Sequence, residues 1–414
     1  MIDRRDELVR ALREACEIEH GLMIQYLFAA LTMKRRLDEG LTPAQQVTSR
    51  RWMAMVLGVA REEMGHFATV CNLMSSIGAP PHFGRPNMPR KTGYYPFPFD
   101  LQPFGDNAFY RFLVFELPLG FPLPPPPGAD LSGEKSIFME SFTESAVPDL
   151  LEYVYVGELY RKIREGFGAI AERDLFIGPV SGQTSPGEWD RMGMRKVTTR
   201  SEAEAAIDWI IEQGEGTPSH RESSHYDRFH DARKEYFDLG RYAASRNVPV
   251  NPATRLHRDQ DASVTLIENK ASLFAVETFN AIYALTLQLL EHAFSLAPGV
   301  GPQRPEQIAQ LRHALQKASH QMMSLGIRTL GEWVSELPFG DVADPRRAGP
   351  TFEVYDDLDL PVHEDARWIF LFEAFDRCIA ASRELGLAAE RPRQAAVSLA
   401  VIRRNLHIAR HGRP

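Results

Sequence analysis

The chain has 414 residues, of which 44% are hydrophobic, 10% aromatic and 25% charged, so it can bury a sizeable core and is neither disordered nor fibrous. Forty-seven Lys plus Arg against 55 Asp plus Glu leave a formal charge of −8, which argues against nucleic acid or an anionic membrane surface as a partner. Three scattered cysteines, Cys16, Cys71 and Cys378, form no CxxC pair, so neither a disulfide framework nor a thiolate zinc site is expected.

The first residues turn at once into a charged amphipathic pattern where a secretory signal would need an apolar run. No stretch of about 20 uninterrupted apolar residues stands out as a membrane span. A cytoplasmic location is the expectation.

In chain order, Leu8, Leu12, Ala15, Leu22 and Tyr26 recur at three, four or seven residues and predict a long first helix over residues 7–36. Thr42 is placed to cap a second helix, with Pro43 at its first position, and the apolar pattern runs over 45–77 until Gly78-Ala-Pro-Pro stops it. The two are expected to form an antiparallel pair. Residues 78–105, rich in Pro, Gly and aromatics as in Lys91-Thr-Gly-Tyr-Tyr-Pro-Phe-Pro-Phe, read as an extended covering loop.

A helical segment over 107–117 ends at Pro118, and Phe121-Pro-Leu-Pro-Pro-Pro-Pro-Gly128 reads as a loop or stiff linker, with an SH3-type ligand as the rival. Helical patterning returns over 148–171, 201–213 and 220–242. Beyond Pro252 it continues over 262–296, 305–336, 364–386 and 391–410. No run of alternating β-branched residues competes, so the chain reads as all-α. Residues 1–250 form a bundle in this reading. Residues 251–414 form a helical subdomain packed on it, with Leu285, Leu289 and Leu290 facing Leu311, Leu315 and Leu325 and no metal ligands there.

The chemistry concentrates in Arg61-Glu-Glu-Met-Gly-His66. Glu63 and His66 stand at i and i+3, about 60° apart on one helical face, and both can reach a single metal. Glu62, at i and i+4 to His66, is the alternative register. The first helix offers Glu17, Glu19 and His20 among apolar residues, a later helix offers Glu158, and Glu222-Ser-Ser-His225 is a second Glu-x-x-His.

One Glu from each of two helices plus Glu-x-x-His from each of two others is the ligand set of a bundle-core di-iron or di-manganese site. The candidate metal ligands are therefore Glu19, Glu63, His66, Glu158, Glu222 and His225. Either Glu-x-x-His alone also arises on a solvated helix face; two of them, each preceded by an inward-looking Glu, are harder to obtain by chance.

Bridging carboxylates can hold two hard cations close together, while one imidazole per metal leaves positions open for dioxygen or substrate. His292, His313 and His320 lack a matched acidic partner and read as surface or satisfied polar positions. Tyr226 and His230 flank His225 and are candidates to orient it. Tyr94, Tyr95, Phe97 and Phe99 either line an aromatic pocket or pack as a lid. Cys16 and Cys71 beside the motifs read as inert filler.

Glu17-Ile-Glu-His-Gly with Tyr26 following, Arg61-Glu-Glu-Met-Gly-His-Phe with Asn72-Leu-Met-Ser-Ser-Ile-Gly-Ala-Pro after it, Ile211-Glu-Gln-Gly-Glu-Gly216 and Ser224-His-Tyr-Asp-Arg-Phe229 together resemble the ferritin-like domain of the iminophenyl-pyruvate dimer synthase family. That family includes the violacein- and rebeccamycin-type enzymes that couple two oxidised tryptophan units. The similarity continues through Gln321-Met-Met-Ser-Leu and Ala348-Gly-Pro-Thr-Phe-Glu353. The violacein-type enzymes are much longer, so this chain resembles a standalone version of one portion.

The resemblance implies a ferritin-like four-helix bundle with long loops and an added C-terminal helical subdomain. It adds Glu215 to the metal-ligand candidates, as the rival of Glu222, and points to Tyr26 beside Tyr94 and Tyr95 as substrate-binding. The implied function is a metal-dependent oxidase or oxygenase of natural-product biosynthesis. It would hold two metal ions, iron first and manganese or copper as alternatives, and act with dioxygen or peroxide on a small aromatic or amino-acid-derived metabolite. The alternative is a non-catalytic ferritin-like metal binder or scaffold protein. A homo-oligomer is left open.

Overall fold

The computed structural model describes residues 2–90, 97–128, 156–184, 193–215, 224–256, 264–296, 304–355 and 358–412. Tyr94, Tyr95 and Glu222 lie outside them.

Helices α1 (Arg5–Thr32) and α2 (Pro43–Ser76) are the long pair at the centre of the bundle and pack along each other. Asp6 and Glu7 in the first turn of α1 complement its positive end. At α2 the Thr42 hydroxyl accepts from the Gln45 amide at 3.2 Å, and the Gln45 side chain accepts from the Thr42 amide at 3.0 Å. This reciprocal cap, with Pro43 behind it, satisfies N–H groups that the helix start leaves without partners. α1 ends four residues before the expected 36, because Met33 turns extended and bridges to Ser245.

The other half of the bundle is shorter. Helices α3 (Asp106–Phe115) and α7 (His225–Asp238) pack together on one side, and α4 (Val156–Ala169) and α6 (Arg200–Gly214) on the other, with the single turn α5 (Glu172–Leu175) between α4 and α6 in sequence. α7 begins at His225 because the Ser224 hydroxyl caps it, accepting from the Asp227 amide at 3.1 Å. The proline-rich segment is a loop strapped to α3 and α7: the Gly128 amide donates to Asp106 at 2.8 Å, and Arg233 reaches the Pro126 carbonyl. The covering loop is pinned by Phe99, buried against Gly21 and Phe115. Phe97 lies under the Arg111 guanidinium, so both rings pack rather than line a pocket.

Of the C-terminal helices α8 (Lys270–Ser295), α9 (Pro305–Gln321), α10 (Thr329–Val334), α11 (Glu364–Leu385) and α12 (Glu390–His411), α9, α10 and α11 pack on α8, and α12 packs on α9, α10 and α11. α8 is long and apolar enough to cross a membrane by length and composition alone, but its most apolar stretch is mostly buried here among the other helices. One large apolar cluster draws residues from Ile2 to Leu406, and a small separate one gathers Ile267, Val276, Val334 and Phe339. Close approach is built in where α10 meets α1, since a Cβ on Gly331 would lie 2.7 Å from Leu31. A two-residue parallel pair, Pro252–Ala253 with Thr265–Leu266, is the one sheet among the described residues.

Two expectations fail in this half. Between α9 and α10 the chain winds as a π-helix over Met322–Arg328. The wider turns shift the register, so Leu325 points to solvent, 42% exposed, while Leu285, Leu289, Leu290, Leu311 and Leu315 are buried as the periodicity predicts. His292 is neither a surface residue nor a satisfied one: it is fully buried edge-on to Trp368, and its Nε2 has no partner.

Candidate metal centre

The site forms where α1, α2 and the ends of α3, α6 and α7 converge. Glu19 on α1 and Glu63 and His66 on α2 all face inward, as the i, i+3 spacing requires. His225 enters from the first turn of α7. Glu116, the residue after α3, completes the set; the sequence reading passed over it. Its signal was present, because Phe112-Leu-Val-Phe-Glu116-Leu-Pro-Leu holds one carboxylate in an otherwise apolar run.

Glu63 is common to two clusters, Glu19–Glu63–His66 and Glu63–Glu116–His225, each with its potential ligand atoms within 4.8 Å of one another. Glu63 Oε2 lies 2.9 Å from His66 Nδ1, and Glu63 Oε1 lies 2.7 Å from His225 Nδ1. Glu19 Oε2 and Glu116 Oε1 stand 3.5 Å from the same Nδ1 atoms, of His66 and His225 respectively.

The surroundings repeat on the two sides. His66 turns Nε2 to Gln213 at 2.9 Å, and His225 turns Nε2 to Glu62 at 3.0 Å. These outer partners set the tautomer that leaves each Nδ1 free to ligate. The Tyr160 hydroxyl donates to Glu19, and the Tyr26 hydroxyl donates to Glu116 at 2.5 Å. Tyr26, expected at the substrate, is thus a fully buried carboxylate-holding residue packed on Phe112 and Phe229. Glu62 is also held by Arg228, one layer outside the cluster.

Glu158 does not join. It sits half-exposed and within 3.4 Å of Lys162, because the inward face of α4 is taken by Gly157 and Tyr160, and residue 158 lies about 200° around the helix from residue 160. Glu215 does line the site's small cavity of about 20 Å3. Arg161 pairs with it at 3.0 Å, and it enters over Gly157, where a Cβ would lie 1.7 Å from Glu215 Oε1. Tyr226 stacks with His230, which is exposed, so that pair faces away from the imidazole it was expected to orient.

Buried carboxylates and imidazoles compensate one another here. Burial and the neighbouring Glu63 push Glu19 up to about 8. Burial acts the same way on Glu63, but the His225 and His66 rings outweigh it and hold that carboxyl well below the ordinary range. Burial opposes charge on His66, yet Glu63 and Glu19 lift it to about 10, and Glu63 and Glu116 raise His225 in the same way. Even so, Glu19 Oε2 and Glu215 Oε1 are buried without a hydrogen-bond partner. Each such atom costs about 1–3 kcal/mol. Oxygen and imidazole donors converging in this way fit a pair of divalent cations, whose charge would balance the four carboxylates.

A helical bundle with such a carboxylate–histidine centre defines a class, and the chain belongs to it: the ferritin-like family model matches residues 12–234. The chain is 28% identical over 397 residues to dichlorochromopyrrolate synthase of Lentzea aerocolonigenes, covering 85% of this chain and 36% of that protein. It is 26% identical over 386 residues to 2-imino-3-(indol-3-yl)propanoate dimerase of Chromobacterium violaceum, covering 87% and 35%. The chain therefore spans about a third of the length of these relatives. A solved ferritin-like protein of Caulobacter vibrioides aligns at 17% identity with a TM-score of 0.48, over 76% of this chain and 95% of that one.

Proposed function

We propose that this chain is a metal-dependent oxidative enzyme of natural-product biosynthesis, acting on a small aromatic, amino-acid-derived metabolite. The observation that carries the reading is Glu63 shared between two buried carboxylate–histidine clusters, with Glu19 Oε2 and Glu215 Oε1 beside it lacking any hydrogen-bond partner. Glu19 and His66 would hold one ion and Glu116 and His225 the other, with Glu63 between them and Glu215 in reserve. Two redox-active ions, iron first and manganese or copper as alternatives, would supply activation of dioxygen or peroxide.

The chain's own groups do the rest. Gln213 and Glu62 hold the two rings by Nε2, and Tyr160 and Tyr26 hold one carboxylate oxygen each. The cavity beside the cluster admits a guest of water size, and the burial of Glu19, Glu63, His66 and Glu116 strengthens the charge interactions among them. The aromatic substrate class is supported by the relatives' names, a chromopyrrolate synthase and an indolyl imino-acid dimerase.

The test is elemental analysis of the full chain after anaerobic metal loading, followed by dioxygen uptake with aromatic amino acids and their imines. Two metals per chain and substrate-stimulated uptake are expected. Absence of stoichiometric metal removes the foundation. Bound metal with no uptake under any reductant favours a metal-binding or scaffold role, and stimulation by aliphatic or peptide substrates alone overturns the substrate class.

A further inference from the structure

On α2, Met64 follows Glu63 and Phe67 follows His66, so each stands about 100° around the helix from a cluster residue. Both line a second cavity, of about 280 Å3, at the seam where α8 and the π-helical segment meet α1 and α2. The space beside the cluster is about 20 Å3 and holds no aromatic ring; the seam cavity is near the size of small-ligand sites.

Its wall is apolar: the thioethers of Met23, Met64, Met194 and Met323 and the rings of Phe83 and Phe294 stand among leucines from α1, α2 and α8. Unbranched, polarisable methionine side chains adapt to a flat ring and make sulfur–aromatic contacts of about 0.3–1.5 kcal/mol each. The π-helical turns contribute Met323, Ser324, Ile327 and Arg328 to the lining, and such turns recur at functional sites.

Two guanidinium groups line the cavity, and they differ. Arg328 is held by Glu332 at 3.0 Å. Arg61 is exposed and has no carboxylate partner among the described residues. An unpaired guanidinium at the edge of an apolar cavity complements a ligand that is apolar along its body and anionic at one end. His20 joins the two sites: it follows Glu19 in the chain, stacks on Phe67 at 5.2 Å and lies 2.6 Å from the hydroxyl of Tyr283, a residue of the cavity wall.

We propose that the seam cavity binds the organic substrate, a flat aromatic body bearing one carboxylate, with the ring among the methionines and the carboxylate on Arg61. The substrate is then held on a different face of α2 from the metal ligands. That the bound molecule is a substrate rests on the function proposed above; the binding itself does not.

Isothermal titration calorimetry of the full chain, as purified and after chelator treatment, tests it with indole-3-propionate, 3-methylindole and octanoate. Indole-3-propionate is expected to bind once per chain in both preparations, and octanoate to bind about tenfold more weakly or worse. Arg61→Ala should weaken indole-3-propionate by about tenfold or more and leave 3-methylindole unchanged, as loss of one charge-assisted contact requires. Ala68→Trp, which fills the cavity, should abolish both.

Equal binding of indole-3-propionate to Arg61→Ala and wild type overturns the proposal. So does tighter binding of octanoate, or retained binding in an Ala68→Trp protein of native helicity. Arg61 is exposed, so its variant folds and is decisive by itself if Ala68→Trp does not fold. Metal content with no aromatic binding defeats this inference only; aromatic binding with no metal defeats the metal-centre reading only.

Discussion

Glu62 Oε2 lies 3.0 Å from His225 Nε2, while Glu63 Oε1 lies 2.7 Å from His225 Nδ1. Two consecutive carboxylates of one helix thus grip the two nitrogens of one imidazole on another. The inner one is placed to ligate and the outer one to orient.

Substitution should separate these roles. Glu63→Ala and His66→Ala are expected to lose stoichiometric metal with helicity intact, since Ala is an excellent helix former. Glu62→Ala should keep the metal but bind it about 10–100-fold more weakly, the usual consequence of removing a group that orients a ligand histidine. Metal titration followed by elemental analysis and circular dichroism checks it. A larger loss in Glu62→Ala than in Glu63→Ala would exchange the two assignments.

Gly157 and Gly58 make a matched pair of glycine tests. A methyl on Gly157 would collide with the Glu215 carboxylate, which must leave the cavity, whereas a methyl on Gly58 in mid-α2 meets nothing within 4 Å. Gly58→Ala should raise stability by about 0.5–1 kcal/mol with metal affinity unchanged. Gly157→Ala should lower metal affinity, and that loss should vanish in a Glu215→Ala background, as a double-mutant cycle would report. Equal losses in both backgrounds would mean that Glu215 plays no part.

Acid should act on the C-terminal helices through His292. Burial, with Arg367 and Arg410 nearby, holds its imidazole down at about 3, against an ordinary 6.5. The folded state therefore binds fewer protons than the unfolded one below 6.5, and the stability His292 contributes above that pH is lost as pH falls toward 3. Glu291 has the opposite sign: burial and Asp359 raise it to about 7, so its contribution is present below 4.5 and lost as pH rises through 7. Urea titrations between pH 4.5 and 7.5 should show His292→Phe losing less stability on acidification than wild type. Glu291→Gln should lose less than wild type on the alkaline side. Parallel curves for wild type and both variants would contradict the linkage.

Much of the fold was legible in the residues because helices announce themselves locally. Thr42 and Pro43 mark the start of α2 by hydrogen bonds that need only a few neighbouring residues, and Glu63 and His66 share a face by helical geometry alone. The ferritin-like class was legible too, because its motifs lie in the long helices that build the bundle.

The rest was decided in three dimensions. Glu116 reaches the centre only because the end of α3 is packed beside α1, and Glu158 misses it because the rotation of α4 turns Tyr160 inward instead. Leu325 faces solvent because the helix widens over Met322–Arg328, a departure that a fixed period of 3.6 does not contain. Periodicity settles which residues share a face. Which face meets which partner is settled by packing between segments far apart in sequence, as when Tyr26 and Glu116, 90 residues apart, meet at 2.5 Å.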